Sequence, residues 1–411
     1  MPRNGTVSIT VVMTAILVAS SVAVACPFCV PPPPTLAEQL AESDVAVIAE
    51  WARSEPASDD QPEPRIDFRV VEVLRTTDDG PKKAGIVSVS FFIEAKPGDL
   101  FLLLAKRPEG IADWGQPIEV TEISAAYAKQ TPSIERPAKE RLPFFVRFLE
   151  SSDQLLANDA FAEFGGAKYE DVVAIKDRLS REKIRQWLEN PGTPPMRLGF
   201  YGMLLGLCGN AEDAEFLAAK VFPATPADKF AIGLDGMMAG YVLLTGERGL
   251  NRLVEQKLND PKQPDGDVYA VINLLRFLWQ FAPDRVPQAK VAAALRPLVD
   301  RPQFAEVAIV DLARWKEWSV LDQVIARYGQ PPFETPEAKR KAITFALACI
   351  KDGGNDPQPG TPAKQARQFI ERLRADDPET LRNAERFFRP SVSGESPVVR
   401  GKTPSPLTTD H

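Results

Sequence analysis

Two thiols separated by two residues are the first groups in this chain that could do chemistry. Cys26 and Cys29 lie in "AVACPFCVPPPP" (residues 23–34), directly ahead of Pro31 to Pro34. That spacing suits a local disulfide, a redox dithiol, a metal clip or, at Cys26, lipidation. A thioredoxin-like dithiol sits at a helix N-terminus, where aligned amides lower the thiol pKa, and four prolines can form no such helix. Zinc takes four ligands, which Cys26, Cys29 and a freed amine do not supply. A local disulfide or a pinned N-terminus is the leading expectation, with the redox, metal and lipid readings behind it.

The remaining inventory excludes more than it offers. The single histidine is His411, which removes Ser-His-Asp and Cys-His catalysis and His-ligated zinc. Haem attachment fails because Val30 stands where CxxCH needs histidine. Paired carboxylates could still act as acid and base, but 56 Asp and Glu are spread along the chain and no pair stands out. A net charge of −7 argues against nucleic acid, whose phosphates require concentrated Lys and Arg. No cofactor is implied, and the expectation is a protein that is not an enzyme. Trp315 and Trp318, three residues apart in "ARWKEW", are read as one helix face packing between hairpins.

The thiols' compartment follows from the residues before them. Arg3 precedes an apolar run from Val7 to Val24, and Ala23 and Ala25 place small residues at the minus-three and minus-one positions of a cleavage site. Residues 1–25 therefore read as a signal peptide and Cys26 as the mature N-terminus, in a periplasmic or secreted protein where disulfides persist. Lipidation of Cys26 would add membrane attachment. Cys208 and Cys349 sit in separate apolar helical segments and are expected to be free thiols.

Beyond the Cys/Pro-rich stretch 26–35, "TLAEQL" carries a capping box, Thr35 with Glu38 three residues on. Five β-rich runs follow at 44–51, 65–75, 85–94, 99–106 and 116–123. In the second, Ile66, Phe68 and Val70 share one parity and Val71 and Val73 the other, so a bulge between Val70 and Val71 would return all five to one side. Residues 36–130 are therefore expected to form a small five-stranded OB barrel. From residue 135 the period becomes helical, with a stripe of Leu156, Ala160, Phe161 and Phe164. Helices then pair at a spacing suited to HEAT-like hairpins, each pair opening on a helix that is apolar nearly all round. The predicted architecture is thus β + α: the barrel, then an all-α helical-hairpin array over 135–388, with a polar, proline-rich and disordered tail at 389–411.

"ESDVAVIAEW" followed by "FRVVEVLR" resembles the first two strands of netrin-like domains, the OB barrels of tissue inhibitors of metalloproteinases. That resemblance implies an N-terminal cysteine, here Cys26, able to chelate a protease zinc through its amino group and carbonyl. The whole chain also resembles secreted proteins of planctomycete type, with a leader ending in "ACPFC", the segment "LAEQLAESDVAVIAEW", and HEAT-like helices containing "DAFAEFGGAKYEDV" and "RLGFYGMLLGLCG". This likeness implies export and the order of domains, and no activity. The functional expectation is an exported, non-enzymatic scaffold that binds a protein partner of the cell envelope or beyond it through its helical surface. The alternatives are a thiol-redox protein using Cys26 and Cys29 and a protease inhibitor acting through Cys26.

Overall fold

Thr35 sets the first element of the computed structural model, which describes residues 28, 33–57, 63–107, 111–223, 232–354 and 361–388. Its hydroxyl accepts from the Glu38 amide at 3.3 Å while its own amide donates to Glu38 Oε2 at 2.8 Å. The capping box read from the sequence thus opens helix α1 (Leu36–Glu42). An antiparallel sheet follows: β1 (Val45–Glu55), β2 (Arg65–Arg75), β3 (Ile86–Val89), β4 (Leu100–Lys106), β5 (Asp113–Trp114) and β6 (Ile118–Val120). Its order is β3-β2-β1-β4-β5, with β6 also paired to β4.

The sheet is open, which corrects the closed five-stranded barrel expected from the sequence. One edge is β3, four residues long and paired to β2 alone; β5 and β6 at the other edge both pair β4, and among the described residues no ladder joins the two edges. Physically, the third run stops pairing at Val89, and Phe91, Ile93 and Ala95 pack on the sheet instead. The fifth run is cut short because Thr121 caps helix α2 (Glu122–Gln130), its hydroxyl accepting from the Ser124 amide at 3.1 Å. Both faces of the sheet are covered. Val45, Val47 and Ala49 join Phe68 and Phe101 in a core of the sheet's own, whereas Ile48 and Leu102 join the helices' core. The bulge lies at Val71: Ala49 pairs Val70 and Ile48 pairs Glu72. Val73 turns back toward the core, but Val71 is itself the bulged residue and is exposed, so four of the five residues share one side and not all five as expected.

The helical part comprises α3 (Ala138–Phe145), α4 (Gln154–Gly166), α5 (Tyr169–Ala174), α6 (Arg181–Glu189), α7 (Pro195–Cys208), α8 (Ala211–Val221), α9 (Leu234–Thr245), α10 (Glu247–Leu253), α11 (Asp265–Phe281), α12 (Gln288–Leu295), α13 (Ala305–Arg314), α14 (Leu321–Ala326), α15 (Pro336–Asp352), α16 (Pro362–Asp376) and α17 (Pro378–Phe387). Proline opens α7, α15, α16 and α17, where its missing N–H would have no intrahelical partner. Among the first helices, α7 packs on α9, α9 on α11 and α13 on α15, and the Arg276–Asp311 bond joins α11 to α13. At α7 and α9 the backbones touch: a Cβ built on Gly206 would lie 2.4 Å from the Gly240 Cα, and one built on Gly240 would lie 1.9 Å from the Gly202 carbonyl oxygen. One continuous core runs from Leu36, Ile48 and Leu102 to Leu381.

The tryptophans pack between successive pairs, though not from one helix face. α13 ends at Arg314, and Lys316 adopts a left-handed backbone (φ 57°) between them. Trp315 stacks on Trp279 of α11 at 4.6 Å; Trp318 meets Phe345 of α15 at 5.2 Å and donates its Nε1–H to Asp352 at 2.9 Å.

Candidate functional site

Residues 1–25, read from the sequence as a signal peptide, Cys26, Cys29 and residues 389–411 lie outside the described residues. Phe28, between the two cysteines, is described, and it packs on the helical part. Its ring centroid is 5.0 Å from that of Phe277 on α11. Phe277 in turn takes the edge of Tyr169 from α5 at 5.3 Å, and Tyr169 reaches Phe281 at 5.2 Å. Offset and edge-to-face pairs of this kind contribute roughly 0.5–1.5 kcal/mol each beyond the area they bury. Burial holds the Tyr169 hydroxyl well above its ordinary pKa, so it stays neutral.

Eight residues on from Phe28, at Leu36, the chain meets a cluster of buried acids where α1, α2, α3 and α4 come together. Asp159 of α4 accepts from the Leu36 amide through Oδ1 and from the Tyr127 hydroxyl of α2 through Oδ2, both at 2.6 Å. Glu163, one turn further, has a side chain only 2 % exposed, and its Oε2 is 2.9 Å from Arg141 Nη1 of α3. Burial raises both carboxyl pKa values; the bonds from Tyr127 and Leu36 on Asp159, and the Thr35 side chain and then the Arg141 charge beside Glu163, work against that rise. A cavity of about 240 Å³ adjoins the cluster, lined among others by Pro33, Pro34, Glu38, Arg141 and Glu163.

Sequence reading missed these residues, although a sign of them was present. The stripe of Leu156, Ala160 and Phe164 runs alongside Asp159 and Glu163, which repeat at i and i+4 next to it. An acid so close to an apolar stripe must find donors inside the fold. Asp159 has both oxygens occupied and serves as a structural staple; Glu163 retains one oxygen, Oε1, without a hydrogen-bond partner.

Other buried and half-buried polar groups bond between helices. Asp213 of α8, fully buried, faces Arg181 at 2.9 Å and Arg185 at 3.5 Å, both from α6, while its Oδ1 makes no hydrogen bond. Asp311 of α13 accepts from Arg276 of α11 at 2.7 Å and from Arg314 at 3.1 Å. Asn273 of α11 donates to Asp235 of α9 at 3.2 Å, and Lys341 of α15 donates to Glu306 of α13 at 2.6 Å. Cys208 and Cys349 are free thiols, as expected, and burial pushes each up to about 11. Among the described residues no group of three or more His, Cys, Asp or Glu could hold a metal ion, and no helix is long and apolar enough to cross a membrane.

No protein-family model matches this chain, and a search of curated proteins returns no match.

Proposed function

We propose that the chain is an exported, non-enzymatic scaffold whose helical array presents a surface to a protein partner of the cell envelope or beyond it. One observation carries the reading: polar and charged groups of the array bond between successive first helices, as in Asp235–Asn273, Arg276–Asp311 and Glu306–Lys341. Groups used this way hold neighbouring helices in register instead of converging on a substrate. A stack fixed in advance loses less conformational freedom when it binds. The HEAT-like description of the helices, the OB or netrin-like kinship of the sheet and a Cys26-borne lipid all belong to this proposal.

The test is site-specific photo-crosslinking in the native cell, with the reactive side chain placed at exposed positions on the first helices, Tyr269, Gln280 and Arg314, and at Ile123 on α2 as a control. A discrete adduct from the array positions and none from Ile123 is expected. Adducts from Ile123 alone, or a purified chain that turns over a substrate, would overturn the reading.

A second reading, thiol redox through Cys26 and Cys29, is favoured by the contact of Phe28 with Phe277, which would fix the middle of the motif against the helices. It predicts a measurable dithiol potential and loss of insulin reduction in Cys29→Ser. Failure of the wild-type chain to reduce insulin would remove it.

A further inference from the structure

The cavity beside α3 and α4 is lined by an ion pair whose hydrogen-bonding capacity is not used up. Arg141 Nη1 is ion-paired with Glu163 Oε2 at 2.9 Å, but neither it nor the buried Nε of Arg141 makes a hydrogen bond. Glu163 Oε1 is likewise without one, on a side chain 2 % exposed. The neighbouring staple behaves differently: Asp159, on the same helix, has both oxygens filled. Donors and an acceptor therefore remain side by side along one cavity wall, and buried groups of this kind are ordinarily satisfied by protein, water or a bound solute.

Charge and size narrow what could satisfy them. Three acids surround one guanidinium: Glu38 and Glu163 on the cavity wall and Asp159 behind it, with the Tyr127 hydroxyl kept neutral by burial. A bare anion would be drawn to Arg141 but repelled by the acids. A bare cation would suit the acids and leave the two Arg141 donors unmatched. A molecule carrying both charges meets both demands, because oppositely charged hydrogen bonds are the strong ones. The remaining wall, with Pro33, Pro34, Ala138, Ala162 and Ala167, is small and apolar, and about 240 Å³ accommodates a short aliphatic group.

We propose that this cavity binds a small zwitterionic solute of the α-amino acid class, its carboxylate on Arg141 and its ammonium on Glu163. The proposal is independent of the scaffold reading and uses none of the array residues named for it.

The test is isothermal titration of the full chain with L-alanine, with acetate and ethylammonium as single-charge probes. Saturable one-to-one binding of L-alanine is expected, with each single-charge probe weaker by about tenfold or more, the worth of one good charged hydrogen bond. Arg141→Met and Glu163→Gln should each weaken L-alanine by a similar factor. Should either variant fail to fold, Gly166→Leu serves instead: Gly166 lines the cavity and has open space where a Cβ would go, so this change narrows the cavity and should weaken L-alanine without unfolding the chain. Absence of saturable L-alanine binding, acetate or ethylammonium binding as tightly as L-alanine, or unchanged affinity in a folded variant would overturn the proposal.

Discussion

Adding one methyl group at Gly240 should unlock the stack of first helices. A Cβ there arrives 1.9 Å from the Gly202 carbonyl oxygen, where ordinary contact begins near 3.4 Å, so the methyl stands about 1.5 Å too close. Nothing at that point can rotate away, because the opposing atom is backbone in the middle of α7. The two helices must part, loosening contacts of Met238 and Leu217, both fully buried. Overpacking of this kind costs typically about 1–3 kcal/mol and occasionally more, against a gain of about 1 kcal/mol from alanine's better helix propensity. A backbone clash this deep belongs at or beyond the upper end, leaving a net loss of about 2 kcal/mol or more. At about 2–4 °C per kcal/mol for a large domain, the melting temperature should fall by roughly 4–8 °C. Gly166→Ala makes the same chemical change where a Cβ meets nothing within 4 Å and should leave stability unchanged or raise it. Differential scanning calorimetry of both variants decides the matter. A Gly240→Ala chain as stable as wild type would refute the direct backbone contact between α7 and α9.

Phe28→Ala should release the N-terminal segment from the helices, seen as faster proteolysis ahead of α1 with little change in the melting temperature, and Phe277→Ala should do the same while also costing the core about 3–5 kcal/mol. Asp159 and Glu163 have carboxyl pKa values raised by folding, so the native state binds their protons more tightly than the unfolded chain does. Their contribution is fully present below the ordinary carboxylate pKa near 4 and is lost as pH rises through the raised native values; Glu163→Gln should flatten the melting temperature's dependence on pH across that window. Trp318→Phe removes the bond to Asp352 and should lower stability by about 1 kcal/mol in urea titration. With thiols held near 11, Cys208 and Cys349 should react with iodoacetamide at pH 8 far more slowly than a model thiol of pKa about 8.5.

How much of this was legible beforehand depended on whether the deciding interaction is local. The capping box at Thr35 is set within a few residues and could be read from neighbours alone; so could the bulge beside Val70, though not that it leaves Val71 exposed. The barrel could not, because closure turns on whether two distant edges meet. The run at 85–94 alternates well enough for a long strand, yet only Ile86–Val89 pairs; the same alternation lets Phe91 and Ile93 cover the sheet without a ladder. The run at 116–123 hid a helix start, since Thr121 and Ser124 are as polar as any strand end.

The candidate site shows the same division more sharply. Cys26 and Cys29 were conspicuous because their chemistry is written in their side chains, whereas Asp159 and Glu163 are two acids among 56 and acquire their properties only from burial. Glu163 becomes unusual because α3 brings Arg141 beside it without a hydrogen bond, while Asp159, one turn away, becomes ordinary structure because α1 and α2 fill both its oxygens. The difference between a staple and an open acceptor therefore comes from which helices arrive from more than 20 residues away. A sequence pattern can nominate an acid beside an apolar stripe as buried. It takes the fold to say whether that acid has a bond left to give.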